Sequence, residues 1–219
     1  RFAATVEPKV IQLPENRVDL VFEIDEGGST GVRGISFIGN SEFSDGDLRD
    51  VIQTRESSFY NFLATNDTYD PDRLSFDREL LRRFYLSEGH ADFRVVSAIA
   101  ELTDDREDFV ITFTIDEGPL YTFGDLSVSI QLRGADEAAL TENITSETGD
   151  IYDADEVEST VQSITDALGE LGFAFVDVRP RVNRDRDALK IDVVYEVREG
   201  PRVFVERIDI GGNVRTLDT

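Results

Sequence analysis

The chain has 219 residues, 46 of them acidic and 22 basic, for a formal charge of −24. Such a surface repels nucleic acid and anionic lipid headgroups, both of which are held by Lys and Arg. With no Cys there is no disulfide framework or thiol chemistry, while 40% apolar residues in periodic blocks mark a folded chain rather than an acidic disordered tail.

Taken in order, residues 3–13 and 17–25 read as two strands around a Pro14-Glu15-Asn16 turn. Without further elements of their own, their apolar residues Val6, Leu20, Phe22 and Ile24 are expected to be partly exposed. Ile35 and Phe37 lie on a third strand closed by Gly39-Asn40. Ser44 then fits a helix N-cap, with Asp47 at the third helical position and Phe43 placed to staple onto Leu48. Leu48, Val51 and Ile52 give that helix its apolar face. Residues 54–69 form a long connection carrying Phe59, Tyr60, Phe62 and Leu63. Asp70-Pro71 caps a second helix with buried stripe Leu74, Leu81, Phe84 and Tyr85, ended by Gly89. Residues 91–101 follow as a strand with Phe93, Val95 and Ile99 on one face. A charged turn at 104–107 leads to the alternating strand Phe109, Ile111, Phe113, Ile115, broken by Gly118-Pro119.

The plan then repeats. Leu126 to Gln131 is a strand and 136–144 a helix. Val157, Val161, Ile164, Leu168 and Leu171 line one face of a second helix, ended by Gly172. Residues 174–182 and 189–197 form the closing hairpin, and 203–219 begin another unit. The segments LVFEIDEG (20–27), ITFTIDEG (111–118) and VVYEVREG (193–200) are copies in register. Tyr69, Asp70 and Gly89 recur 83 residues on as Tyr152, Asp153 and Gly172. Spacings of 91 and 82 residues between Gly27, Gly118 and Gly200 suit small domains rather than solenoid turns.

Each unit is therefore β-α-α-β-β, an α+β fold. Three strands cannot bury an apolar face alone, so the two helices must cover one. The hairpin pairs the second and third strands, and the most apolar third strand belongs in the centre. The crossover makes the first strand parallel to it, giving a three-stranded mixed sheet of order 1-3-2 with the second strand on an edge.

A tandem β-α-α-β-β unit with strand-Glu-Gly-Pro-strand joints and Gly-Asn after its first strand resembles the POTRA domain. The block from Tyr69 to Arg94, YDPDRLSFDRELLRRFYLSEGHADFR, is similar to assembly factors for outer-membrane β-barrels of alphaproteobacterial type. The resemblance implies four segments. Residues 1–28 would be the closing hairpin of a truncated second POTRA, 29–118 a third, 119–201 a fourth, and 202–219 the first strand of a fifth. It also implies a place on the periplasmic side of the outer membrane, ahead of a C-terminal membrane barrel. The implied partners are unfolded outer-membrane proteins and accessory lipoproteins. A POTRA string from a two-partner secretion or translocation-and-assembly transporter is the alternative within the family, and a passive spacer the alternative outside it. With no Met and a strand-like start at Arg1, the chain reads as a fragment, and no apolar run approaches the ~20 residues of a spanning helix.

Three places are candidates for binding. The first is the edge strand, Phe93, Arg94, Val95, Val96, Ser97, Ala98 and Ile99, whose unpaired backbone groups can accept a visiting strand irrespective of its sequence. Val176, Asp177, Val178 and Arg179 form the equivalent secondary edge, which Pro180 should interrupt; the plainer reading is an edge blunted by outward Asp92, Arg94, Asp177 and Arg179. The second is the connection with Phe59, Tyr60 and Phe62, either a contact patch or a satellite cluster over the helices. The third is the set of joints: Gly118-Pro119 and Gly200-Pro201 are stiff, whereas Gly27-Gly28 is expected to bend more.

No catalytic, cofactor or metal site is expected. Asp70 fits a helix cap and residues 104–108 a solvated turn. The Ca²⁺-loop, P-loop and G-x-S-x-G patterns are absent, and His90 is the sole His.

Overall fold

The structure, a computed structural model, describes residues 5–13, 17–25, 30–57, 69–132, 134–173 and 175–200. The chain divides into two units, residues 1–121 and 122–219, each taken by itself below. No helix among the described residues is long and apolar enough to cross a membrane.

The first unit opens with an antiparallel hairpin of β1 (Thr5–Leu13) and β2 (Arg17–Asp25), with Val6 opposite Ile24. Val6, Leu20, Phe22 and Ile24 are each more than half exposed. A complete β-α-α-β-β body follows: β3 (Gly31–Ile38), α1 (Asp45–Val51), α2 (Pro71–Ser87), β4 (Arg94–Leu102) and β5 (Asp108–Asp116). The sheet order is β3-β5-β4, with β3 parallel and β4 antiparallel to the central strand.

Local sequence explains these elements. Ser44 and Asp47 form a reciprocal capping box, each accepting from the other's backbone N–H, which starts α1. Asp70 accepts from the Asp72 N–H at 2.9 Å and Pro71 fills the first helical position of α2. At the end of β3, Gly39 has φ +96°, and a Cβ there would lie 2.2 Å from the Ile115 carbonyl oxygen, so only glycine lets the chain leave the sheet.

The helices cover one face of the sheet. Ile111, Phe113 and Ile115 from β5 meet Ile35 and Phe37 from β3, and Leu48, Ile52, Leu81 and Tyr85 close over them. Burying each such side chain contributes ~1.5–3 kcal/mol, enough together to hold a sheet that cannot stand alone. Phe43, expected to staple onto Leu48, meets Phe84 and Tyr85 edge-on at 4.8 and 5.2 Å.

The second unit repeats the plan with β6 (Thr122–Ile130), α3 (Glu137–Thr141), α4 (Ala154–Glu170), β7 (Val176–Asp185) and β8 (Lys190–Glu199), in sheet order β6-β8-β7. Ile191, Val193, Tyr195 and Val197 on the central strand are fully buried.

Three local expectations need correction. The strand over 91–101 begins at Arg94, and a bulge between Val95 and Ser97 inverts its facing. Phe93 and Val95 face the core, but beyond the bulge Ala98 and Ala100 pack there and Ile99 turns outward, 52% exposed. Leu171 lies beyond the last turn of α4 and is exposed. Pro180 leaves the register of β7 with β8 unbroken, opposite Tyr195. An outer strand tolerates proline where its nitrogen faces away from the ladder. Finally, α3 spans only Glu137–Thr141, with Asp136 as its cap, shorter than the helix expected over 136–144.

Candidate functional site: the edge strand and its groove

As the outer strand of β3-β5-β4, β4 has a neighbour on one side only among the described residues. The bulge at Val96 gives this edge its character. An extra residue in one strand shifts the alternation of its side chains, so two successive apolar stretches cannot both face inward. Val96 and Ile99 are 58% and 52% exposed, and Leu102 is 38% exposed. Arg94 is exposed and donates to Asp116 across the ladder at 2.7 Å. Ser97 and Ala98 are half-buried.

Between β4 and α2 runs a groove of about 360 Å³, lined by Ser75, Arg78, Glu79, Arg82, Phe93, Arg94 and Val95. Its α2 wall carries Arg78 and Arg82, one helical turn apart and away from the buried stripe of Leu74, Leu81 and Tyr85.

The corner after β5 is held by Glu117, 7% exposed. Its carboxylate accepts from the Ser41 hydroxyl (2.8 Å), the Ser41 N–H (3.0 Å), the Glu42 N–H (3.2 Å) and the Tyr85 hydroxyl (2.9 Å). Burial pushes this carboxyl's pKa up, but the bonds from Ser41, Tyr85 and Glu42 outweigh burial and hold it below the usual value. Burial, reinforced by Glu117, raises the pKa of the Tyr85 hydroxyl. The sequence marks Glu117 only as part of a repeated Glu-Gly; its role as the tie between the ends of two parallel strands appears only in the fold.

The joint that follows is pinned to the first unit. Gly118 has φ +67°, and a Cβ there would meet the Asp92 Cβ at 2.9 Å. His90 Nδ1 lies 3.3 Å from the Gly118 carbonyl oxygen, which makes Nδ1 the donor. Tyr121 is fully buried, its N–H on the Gly89 carbonyl and its hydroxyl on Asp92 at 2.6 Å. Asp92 is therefore half-buried and engaged by Tyr121 rather than blunting the edge.

A second pinning residue also escaped sequence reasoning. Asp77 is fully buried and accepts from the Gln53 N–H at 2.7 Å, the Thr54 N–H and the Thr54 hydroxyl, closing the loop after α1. Thr160, 83 residues on, is equally buried and holds Thr145 in the same way. The available signal was a polar residue within the apolar stripe of both long helices.

On the secondary edge, Val176, Asp177 and Val178 are half-buried, and exposed Arg179 donates to Asp177 at 2.8 Å. Its flanking groove, about 820 Å³, is lined by Thr165, Asp166, Gly169, Glu170, Phe173, Phe175, Val176 and Gly200. The Gly200 N–H donates to the Phe175 carbonyl at 3.0 Å. Gly27, Gly28, Pro201, Phe59, Tyr60, Phe62 and Leu63 lie outside the described residues.

The POTRA family model, described as surface antigen variable number repeat, matches residues 30–118 and 121–200. An outer membrane protein assembly factor BamA from Neorickettsia risticii is 30% identical over 211 residues, 96% of this chain and 28% of that protein. A second BamA, from Neisseria meningitidis, is 26% identical over 213 residues, 97% of this chain and 27% of that protein. The chain thus spans little more than a quarter of these curated relatives. The crystal structure of Haemophilus influenzae BamA POTRA3-5 matches with a TM-score of 0.66 at 20% identity, covering 86% of this chain and 73% of that one, a likeness of fold.

Proposed function

We propose a function from one premise: this chain belongs to the POTRA family, whose repeats fill residues 30–118 and 121–200. The relatives it matches along nearly its whole length are outer membrane protein assembly factors. The chain is then a stretch of the periplasmic POTRA string of such a factor, in a longer protein that also carries a membrane barrel. Residues 1–28 end a second repeat, 29–118 and 119–201 are the third and fourth, and 202–219 open a fifth. Its work is binding rather than catalysis. Unfolded outer-membrane proteins on their way to insertion add a strand to β4, and accessory lipoproteins dock on the same string.

The observation that carries this reading is the open edge of β4, which presents Val96, Ile99 and Leu102 beside a groove. A globular protein normally blunts such an edge with charge, proline, a bulge or a covering element. Here the ladder runs on past the bulge to Leu102, and the bulge turns apolar Ile99 outward. Strand addition draws its affinity from main-chain hydrogen bonds, which every sequence can make, so one edge serves clients of many sequences. The second unit's edge is less suited, because Pro180 removes a donor from the middle of β7.

The test is an amide NMR titration of the isotope-labelled chain with a peptide from the last strand of a barrel protein. Shifts concentrated on Arg94–Leu102 are expected. If the peptide leaves those amides unmoved at about millimolar concentration, client binding at this edge falls and a spacing role takes its place.

A further inference from the structure

We propose that the groove between α2 and β4 selects extended partner segments bearing carboxylates, and that the groove flanking the second unit's edge strand turns the same segments away. The proposal rests on the reading of β4 as a receiving edge and adds a charge requirement to it.

The chain carries 46 acidic against 22 basic residues, yet the α2 wall of this groove carries two guanidinium groups, Arg78 and Arg82, against one carboxylate, Glu79. Arg78 has no carboxylate partner among the described residues. Glu79 is shared by Arg82 at 3.8 Å and Arg83 at 3.6 Å. Arg94 alternates with inward Phe93 and Val95 and is tied to Asp116 on the opposite face of the sheet, so it adds no charge to the helix-side wall. The floor beneath these groups is apolar, made by Phe93 and Val95.

The geometry matches an added strand. Side chains of a strand laid against β4 alternate between the two faces of the sheet, so every second one lies on the helix-covered side. There it meets Arg78 and Arg82, four residues apart on α2 and therefore stacked along the helix flank. Guanidinium groups grip carboxylates through two parallel hydrogen bonds, which suits a side chain arriving from one direction.

The second unit has none of these cations. Val161, Thr165 and Asp166 stand where the first unit has Arg78, Arg82 and Arg83, and Asp177 stands where it has Arg94. The charged residues lining its groove are Asp166 and Glu170, with no cation among them. Repulsion of the wrong partner is as effective a source of selectivity as attraction of the right one.

The experiment uses the whole 219-residue chain and two peptides as long as the nine residues of β4, one alternating Thr with Glu and the other Thr with Lys. The Glu peptide is expected to shift amides along Arg94–Leu102 and to leave Val176–Asp185 unmoved. The Lys peptide should bind β4 roughly tenfold more weakly, two exchanged ion pairs' worth. An Arg78→Gln, Arg82→Gln variant changes two exposed positions and should keep its circular dichroism while losing the preference. Equal affinity of both peptides for β4 would leave the edge reading intact and overturn the charge requirement. Shifts by the Glu peptide that persist in the variant at full strength would overturn it too. If neither peptide moves β4, the edge reading and the charge requirement fall together.

Discussion

Glu117→Ala should destabilise the first unit by about 3–5 kcal/mol, because it removes an acceptor used by four donors. Ser41 and Glu42 are exposed, so their donors can turn to water, and losing their bonds to a charged group costs about 1.5–3 kcal/mol. Tyr85 is fully buried, so its hydroxyl is left without a partner at a cost of about 1–3 kcal/mol. That second cost disappears if the hydroxyl goes as well. Tyr85→Phe keeps the ring stacked on Phe93 at 4.1 Å and the edge contact with Phe43, and alone should cost about 1 kcal/mol. The double variant should then be less destabilised than the sum of the singles by about 2–4 kcal/mol. Urea unfolding followed through the amides of Phe113 and Tyr195 separates the units, and only the Phe113 transition should move. Additivity within about 0.5 kcal/mol would mean that Tyr85 and Glu117 do not share a bond, and would refute the account of the corner.

The same carboxylate makes the first unit acid-sensitive. Its folded pKa is lowered, so its contribution is complete above the unfolded value of about 4.3 and is lost as pH falls through the folded one. The stability gap between the native chain and Glu117→Gln should therefore be constant near neutral pH and shrink below about pH 4; a gap unchanged down to about pH 3 would contradict the linkage. In the second unit, the Tyr195 hydroxyl is buried without a well-formed partner, beside a Thr160 hydroxyl already shared with Thr145. Tyr195→Phe should leave stability unchanged or raise it by up to about 1 kcal/mol, as Phe113 at the matching position suggests, and a loss above about 1 kcal/mol would reveal a real bond. The charge of −24 opposes compaction by self-repulsion. Raising NaCl from about 0.01 to 0.5 M should increase the melting temperature of both units, and a flat response would show that the acidic surface is already neutralised locally.

Much of this architecture can be read along the chain, because its causes are local. Ser44-x-x-Asp47 and Asp70-Pro71 place the helix starts, Gly89 and Gly172 their ends, and alternation in 109–115 and 191–197 marks the central strands. The repeat then supplies what one copy could not: three aligned Glu-Gly corners imply units, and units too small to fold as bare sheets imply covering helices. The order with the third strand central follows from hairpin pairing and crossover handedness, both general.

What tertiary structure alone decided is where that alternation breaks and which polar groups meet. The bulge between Val95 and Ser97 turns Ile99 outward, although its spacing from Phe93 and Val95 suggests the core, because a strand's facing depends on its partner's register and not on its own sequence. Asp77 and Glu117 look like any of the chain's 46 acidic residues until the fold brings Thr54 to one and Ser41 and Tyr85 to the other. A buried carboxylate is tolerated only where donors converge on it, and those donors lie 23 to 76 residues away in the chain. The charge of the α2–β4 groove has the same origin. Arg78 and Arg82 are ordinary helix residues until β4 packs beside them and makes their flank one wall of a site.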